Sequence, residues 1–112
     1  MTAGDVVLAP LPQIDGVVKL RPAVLLCALP PYNDCLVCGV STQLHQIAAN
    51  FDELIEPNES DFTTSGLKAA SLIRLGYLAV LPLKQIKGRI GNISLIRLAR
   101  LRTTLANHLL GP

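Results

Sequence analysis

Short apolar runs separated by turn residues occupy the first two thirds of the chain. DVVLAP (Asp5–Pro10) reads as a buried strand closed by proline. Asp15-Gly16 is a dipeptide that tolerates positive φ, and VVKLRPAVLLCA follows it as a second strand. LPPYND (Leu29–Asp34) reads as a turn, and CLVCGVST (Cys35–Thr42) as the next strand. From Gln43 through Ser65 the chain is polar, with one short strand in DELIE. Much of the rest, including EPNESDFTTSG, reads as a mobile loop. AASLIRLGYLAVL (Ala69–Leu81) predicts one long strand, or two short ones kinked near Gly76.

The period changes at Ser94. In SLIRLARLRTTLANHLLGP, Leu98, Leu101, Leu105 and Leu109 recur at helical spacing, while Arg97, Arg100 and Asn107 fall mainly elsewhere. Ser94 suits an N-cap, and Gly111-Pro112 is a stop signal. Closely spaced strands with one terminal helix predict a mainly β, α+β domain built on an antiparallel barrel. At 112 residues, the chain is expected to form one domain, residues 1–112.

Composition adds an expectation of self-association. Half of the residues are apolar and only 16% are charged, so part of the surface is expected to be an interface, most simply a dimer contact. The net charge of +2 permits nucleic-acid binding without arguing for it. Arg89, Arg97, Arg100 and Arg102 gather late in the chain, whereas Asp52, Glu53, Glu56, Glu59 and Asp61 gather in the middle. Each group reads as a solvated face. Cys27, Cys35 and Cys38 fit reduced thiols, and strand parity puts Cys35 and Cys38 on opposite faces, where they cannot share a metal. No signal-peptide pattern or membrane-length apolar run is present, so a cytoplasmic protein is expected.

Arg21 stands beside Pro22 at the mouth of an apolar run, either as a strand-end solubilising charge or as a charge at the rim of a site. GDVVLAPLP, LRPAVLL, YNDCLVCGVST, SGLKAASLIRL and IKGRIGNIS, in this order, resemble the MazF/PemK family of toxin–antitoxin ribonucleases from Gly4 to about Leu110. The resemblance implies an SH3-like barrel with a C-terminal helix, a homodimer, a cognate antitoxin protein as partner, and metal-independent cleavage of single-stranded RNA. No cofactor and no metal are implied.

The family's Arg-Pro arginine contacts the scissile phosphate, and Arg21 matches it. Attack of a ribose 2′-OH on the adjacent phosphate builds negative charge that a guanidinium meets with two parallel hydrogen bonds. The family's strand-end hydroxyl falls on Ser41, with Thr42 beside it as the second choice; the bland reading of Ser41 is a hydroxyl that turns a strand into a loop. Many members carry Arg-x-Asp on a later strand. Here Arg74 matches, as acid or second phosphate clamp, but Gly76 stands where the aspartate is usual and Ala79-Val80 replaces a common Arg-Thr. Strand parity puts residues 74 and 76 on one face. Lys19 reads as a further phosphate contact. His45 reads as a surface histidine, or else as a phosphate contact or substitute base; His108 reads as a structural cation near a helix C-terminus. The departure at Gly76 motivates an alternative, a catalytically attenuated or inactive member acting as an antitoxin- or RNA-binding dimer.

Overall fold

The computed structural model describes residues 1–111. The first apolar run forms β1 (Asp5–Pro12), and the Asp15-Gly16 turn returns it into β2 (Val18–Leu29). Gly16 takes φ +82°, and the Asp15 carboxylate accepts the Val17 N–H at 3.0 Å, so both residues serve the turn as their types suggest. A second turn, with Asn33 at φ 58°, leads into β3 (Asp34–Ser41). β4 (Glu53–Ile55), β5 (Ser71–Leu81) and β6 (Gly88–Asn92) complete one antiparallel sheet in the order β4-β5-β3-β2-β1-β6. The sheet curls into a half-barrel, in line with the mainly β barrel and C-terminal helix that the resemblance implies.

Strand alternation places apolar side chains on both faces of this sheet. One set, including Val6, Val24, Leu26, Cys38, Ile73 and Leu75, packs against Leu98, Leu101 and Leu105 of α2 (Leu95–Leu110). The other, including Val7, Ala9, Leu11, Ala23, Leu25 and Val37, forms a second core with Ile86, on which Tyr77, Ala79 and Leu81 pack. Cys35 joins the second set and Cys38 the first, as their spacing requires. Burial pushes the Cys38 thiol up to about 12, so it stays protonated and inert.

Ser94 caps α2 by accepting the Arg97 N–H at 3.1 Å, and Gly111 closes the helix with its N–H on the His108 carbonyl. Pro112, the second half of the expected stop signal, lies outside the described residues. Leu109 departs from expectation. It is 75% exposed, because the last turn of α2 runs on past the apolar contacts that end at Leu105.

The charged clusters are the larger correction. Arg97 is 3% exposed, and its guanidinium gathers most of the mid-chain acids. Its Nε and one terminal nitrogen donate to the two oxygens of Asp61 at 2.8 and 3.1 Å. The remaining donors reach Glu53 at 2.9 Å, Glu59 at 2.9 Å and the Leu54 carbonyl at 3.1 Å. Arg100 also pairs with Glu53, Arg89 with Asp5, and Arg102 donates to the Leu26 carbonyl. Arg97 and Arg100 of the late group are therefore partners of Glu53, Glu59 and Asp61 of the middle group, and the segment read as a mobile loop is tied to the start of α2. It also contains α1 (Phe62–Ser65), which lies directly on β6. Side chains at Gly66 or Gly91 would collide with the backbone of Ile90 or of Thr64 and Ser65, respectively.

Burial alone would raise the Asp61 carboxyl, but the Arg97 and Ser94 hydrogen bonds and the Arg97 charge outweigh it and hold the group below the ordinary value of 3.8. A depressed folded-state pKa gives stability that is present above the unfolded value and lost as pH falls through the folded one. Asp61→Asn is therefore expected to cost on the order of 3 kcal/mol at pH 7, by removing one charge from a buried cluster. The gap to wild type should narrow as pH drops below the ordinary aspartate range. Thermal melts of both proteins from pH 7 to pH 2.5 test this; a constant gap would contradict it.

Candidate active site

The geometry of one strand junction answers why an arginine stands beside a proline. β2 and β3 pair from Leu29↔Asp34 to Ala23↔Gly39 and then part. Beyond that point β2 continues with β1 alone, through Pro22↔Leu8 and Arg21↔Ala9, while β3 stays with β5 through Val40↔Ile73 and Ser41↔Leu72. Pro22 has no N–H to offer a β3 ladder, so the sequence suits the place where the strands separate. A cavity of about 650 Å³ opens in the gap, with Arg21 and Pro22 on one side and Val40, Ser41 and Thr42 on the other.

Arg74 enters the same cavity from β5. Its position depends on an irregularity, since one step on β3 from Cys38 to Gly39 corresponds to four on β5, from Leu78 to Arg74. Leu75, Gly76 and Tyr77 bulge out of the ladder and break the alternation of faces. Leu75 is buried in the helix-side core, and Tyr77 turns into the cavity, where its ring lies 3.2 Å from the point that a Cβ on Gly39 would occupy. Gly76 does not line the cavity. A Cβ there would face Phe51 at 3.8 Å, and Phe51 packs on the helix-side core with its ring 4.9 Å from that of His108. Residues 74 and 76 do not share a face as simple parity had them. Gly76 also lacks a left-handed backbone, so β5 is one bulged strand without a glycine kink.

The Ser41 hydroxyl accepts the Gln43 N–H at 3.0 Å, which turns the strand into the following loop. Its own proton remains free to be donated into the cavity. Thr42 also lines the cavity. Lys19 and His45 do not. Lys19 lies further out on β2, exposed, opposite Leu11. His45 is exposed on a 3-10 turn, Leu44–Gln46, whose last residue does reach the cavity. Gln46 Oε1 accepts a long hydrogen bond, 3.4 Å, from Arg74, while the buried Arg74 Nε has no partner among the described residues.

Sequence reasoning missed Lys68 and Tyr77. Lys68 lies within SGLKAAS and arrives on the wall formed after α1; without the Arg97 attachment nothing placed that wall near Arg21. Tyr77 was concealed by the bulge. Its hydroxyl donates to the Pro12 carbonyl, fastening the end of β1 to β5.

No curated protein matches the sequence. The chain does match, over residues 2–109, the family described as PemK-like, MazF-like toxin of type II toxin-antitoxin system, and it belongs to that family. Solved structures agree on the fold. The Mycobacterium tuberculosis toxin MazF-mt6 superposes with a TM-score of 0.67 at 17% identity, covering 94% of this chain and 95% of that one. MazF in the MazE-MazF crystal structure (Form-II) from Deinococcus radiodurans gives 0.65 at 19%, covering 99% and 95%. An endoribonuclease in complex with its cognate antitoxin, from Mycobacterial species, gives 0.68 at 13%, covering 100% and 97%.

Tyr77→Phe keeps the ring over Gly39 and removes only the bond to Pro12. A loss of about 1 kcal/mol of unfolding free energy is expected, measured by urea titration. No loss would mean that the hydroxyl exchanges its partner for water at no cost.

Proposed function

We propose that this protein is the toxin of a type II toxin–antitoxin system and an endoribonuclease, cutting single-stranded RNA by attack of a ribose 2′-OH on the adjacent phosphodiester. One observation carries the reading. Of the six arginines, four are paired, three with carboxylates and Arg102 with a carbonyl. The two without a carboxylate or backbone partner among the described residues, Arg21 and Arg74, both line the cavity, and no described carboxylate lines it with them. Lys68 adds a further positive charge to the wall. Such a cavity attracts a phosphodiester and stabilises the extra charge of its transition state.

Arg21 and Arg74 grip the phosphoryl oxygens, and the Ser41 hydroxyl donates to one of them. As the 2′-oxygen bonds to phosphorus it loses its proton to water, and the departing 5′-oxygen gains one, with Arg74 beside it as clamp or acid. Thr42 contacts RNA within the cavity, and Lys19 and His45 meet flanking phosphates outside it. The protein acts in the cytoplasm as a single-domain homodimer and needs no metal. A cognate antitoxin restrains it; one mycobacterial endoribonuclease of the same fold is found in complex with its own.

A second reading has its own support: no described histidine or carboxylate lines the cavity to act as base. A missing general base costs about 10²–10⁴ in rate, which leaves a catalytically attenuated RNA- or antitoxin-binding dimer. Wild type incubated with long single-stranded RNA in EDTA separates the two readings; binding without any cleavage supports the second.

Arg21→Ala is expected to abolish cleavage and leave the melting temperature unchanged, since Arg21 is exposed and makes no ion pair among the described residues. A collapse in stability would restore a structural role. Gly76→Asp is expected not to accelerate cleavage, because the new carboxylate faces Phe51 instead of the cavity. A rate gain of about 10-fold, within the usual range for a general base, would show that the bulge rearranges when RNA binds.

A further inference from the structure

We propose that Asp52 is a positioning residue that aims Arg74 and Gln46 into the cavity from behind it. The inference rests on the reading of the cavity as an RNA-cleaving site. Leu75, Gly76 and Tyr77 have no partners on β3, and β4 stops pairing at Glu53↔Ile73, so the bulge is unsupported by either neighbouring strand. The Leu75 N–H is taken by the Asp52 carboxylate at 3.1 Å. The other oxygen of that carboxylate accepts the Ala48 N–H at 2.9 Å, and the Asp52 N–H donates to the Ala48 carbonyl at 2.9 Å. One side chain thus fastens two pieces of backbone together. The first is the bulge that begins immediately after Arg74. The second is the turn that follows Leu44–Gln46 and contains Asn50 in a left-handed conformation, φ 63°.

Arg74 and Gln46 stand at the cavity ends of these two pieces, joined by the long Arg74–Gln46 hydrogen bond. Asp52 itself does not line the cavity, and its charge bears on Cys38 in the helix-side core. The carboxylate therefore acts through the backbone that carries the two cavity residues. The two N–H groups fall on different oxygens, and an ionised carboxylate accepts at both. An asparagine turns an NH2 toward one of the donors, which frees either the bulge or the turn. Displacements of about 1 Å behind a reacting centre are enough to cost about 100-fold in rate.

The test compares wild type, Asp52→Asn, Arg74→Lys and the double variant on one RNA, with single-turnover rates, KM, melting temperature and the Arg74 Nε–H signal in NMR spectra. Asp52→Asn is expected to lower the rate about 10-fold or more with little change in KM, and to add nothing in the Arg74→Lys background, as for two residues acting through one interaction. It should also shift or broaden the Arg74 Nε–H signal while leaving that of Arg102 in place. An equal loss in both backgrounds, or full activity in a folded Asp52→Asn, overturns the proposal. Should wild type cut no RNA, the ribonuclease reading fails separately. The Arg74 signal then decides for Asp52, and an unchanged signal in the variant overturns it. If Asp52→Asn does not fold, amide exchange in wild type decides instead. Leu75 must be protected relative to Gly76, and free exchange at Leu75 rejects the bond on which the proposal depends.

Discussion

A guanidinium removed from water needs its charge and all of its donors matched, and Arg97 meets that demand by drawing three carboxylates and a carbonyl from the middle of the chain onto the start of α2. Burial works against the charged form, but the bonds to Asp61 and Glu59 outweigh it and raise the Arg97 pKa. Breaking any one of these contacts leaves charge stranded at a site that is 3% exposed. The segment after β3 sends Ile55 into the helix-side core, with Phe51 and Phe62 packed against it, and the Arg97 cluster and the glycine contact between α1 and β6 fix its polar part as well. The wall carrying Gly66, Leu67, Lys68 and Ala69 follows from that placement, and without it the cavity would be open on that side.

The cavity itself comes from a different constraint. Two strands that pair along most of their length must separate somewhere if each is also to serve a different neighbour. β2 follows β1 outward while β3 follows β5, and the Arg21-Pro22 pair sits at the fork. A proline ends the demand for a β3 partner, and the arginine before it is left on an exposed strand edge. Arg21 sits where the backbone ladder has been given up, whereas the most fully paired arginine, Arg97, is buried in packed chain.

Local periodicity made the strands and most of α2 legible, because alternation and helical spacing are properties of neighbouring residues. Leu98, Leu101 and Leu105 were readable in this way, whereas the fate of Leu109 depended on where the sheet contacts end. The Arg97 cluster was illegible for the same reason: its partners lie 36 to 44 residues away, and a run of acids has the same composition whether solvated or paired. Of the site, Arg21, Ser41, Thr42 and Arg74 were legible through the family resemblance, and all four line one cavity. Lys19 and His45 fell outside it. The bulge defeated parity at Gly76 and Tyr77, since nothing in LIRLGYLAV says that three residues will leave the ladder.

That bulge bears on the chemistry as well as on the geometry. On a regular strand a carboxylate two residues after Arg74 would sit beside it and pair with it, trading part of its charge for a base. Here Tyr77 is the next residue of β5 after Arg74 to line the cavity, and Gly76 faces the other way. The cavity is left with two guanidiniums and an ammonium and no described acid to neutralise them. On the ribonuclease reading proposed above, a site of this kind would bind the phosphodiester in the ground state and more strongly as charge builds on its oxygens. On that same reading it would stabilise the transition state electrostatically and leave the proton of the 2′-OH to solvent. Such a division of labour would trade turnover for grip: the rate contribution of a general base would be lost, while the full charge of both arginines would remain available to the RNA backbone proposed as substrate.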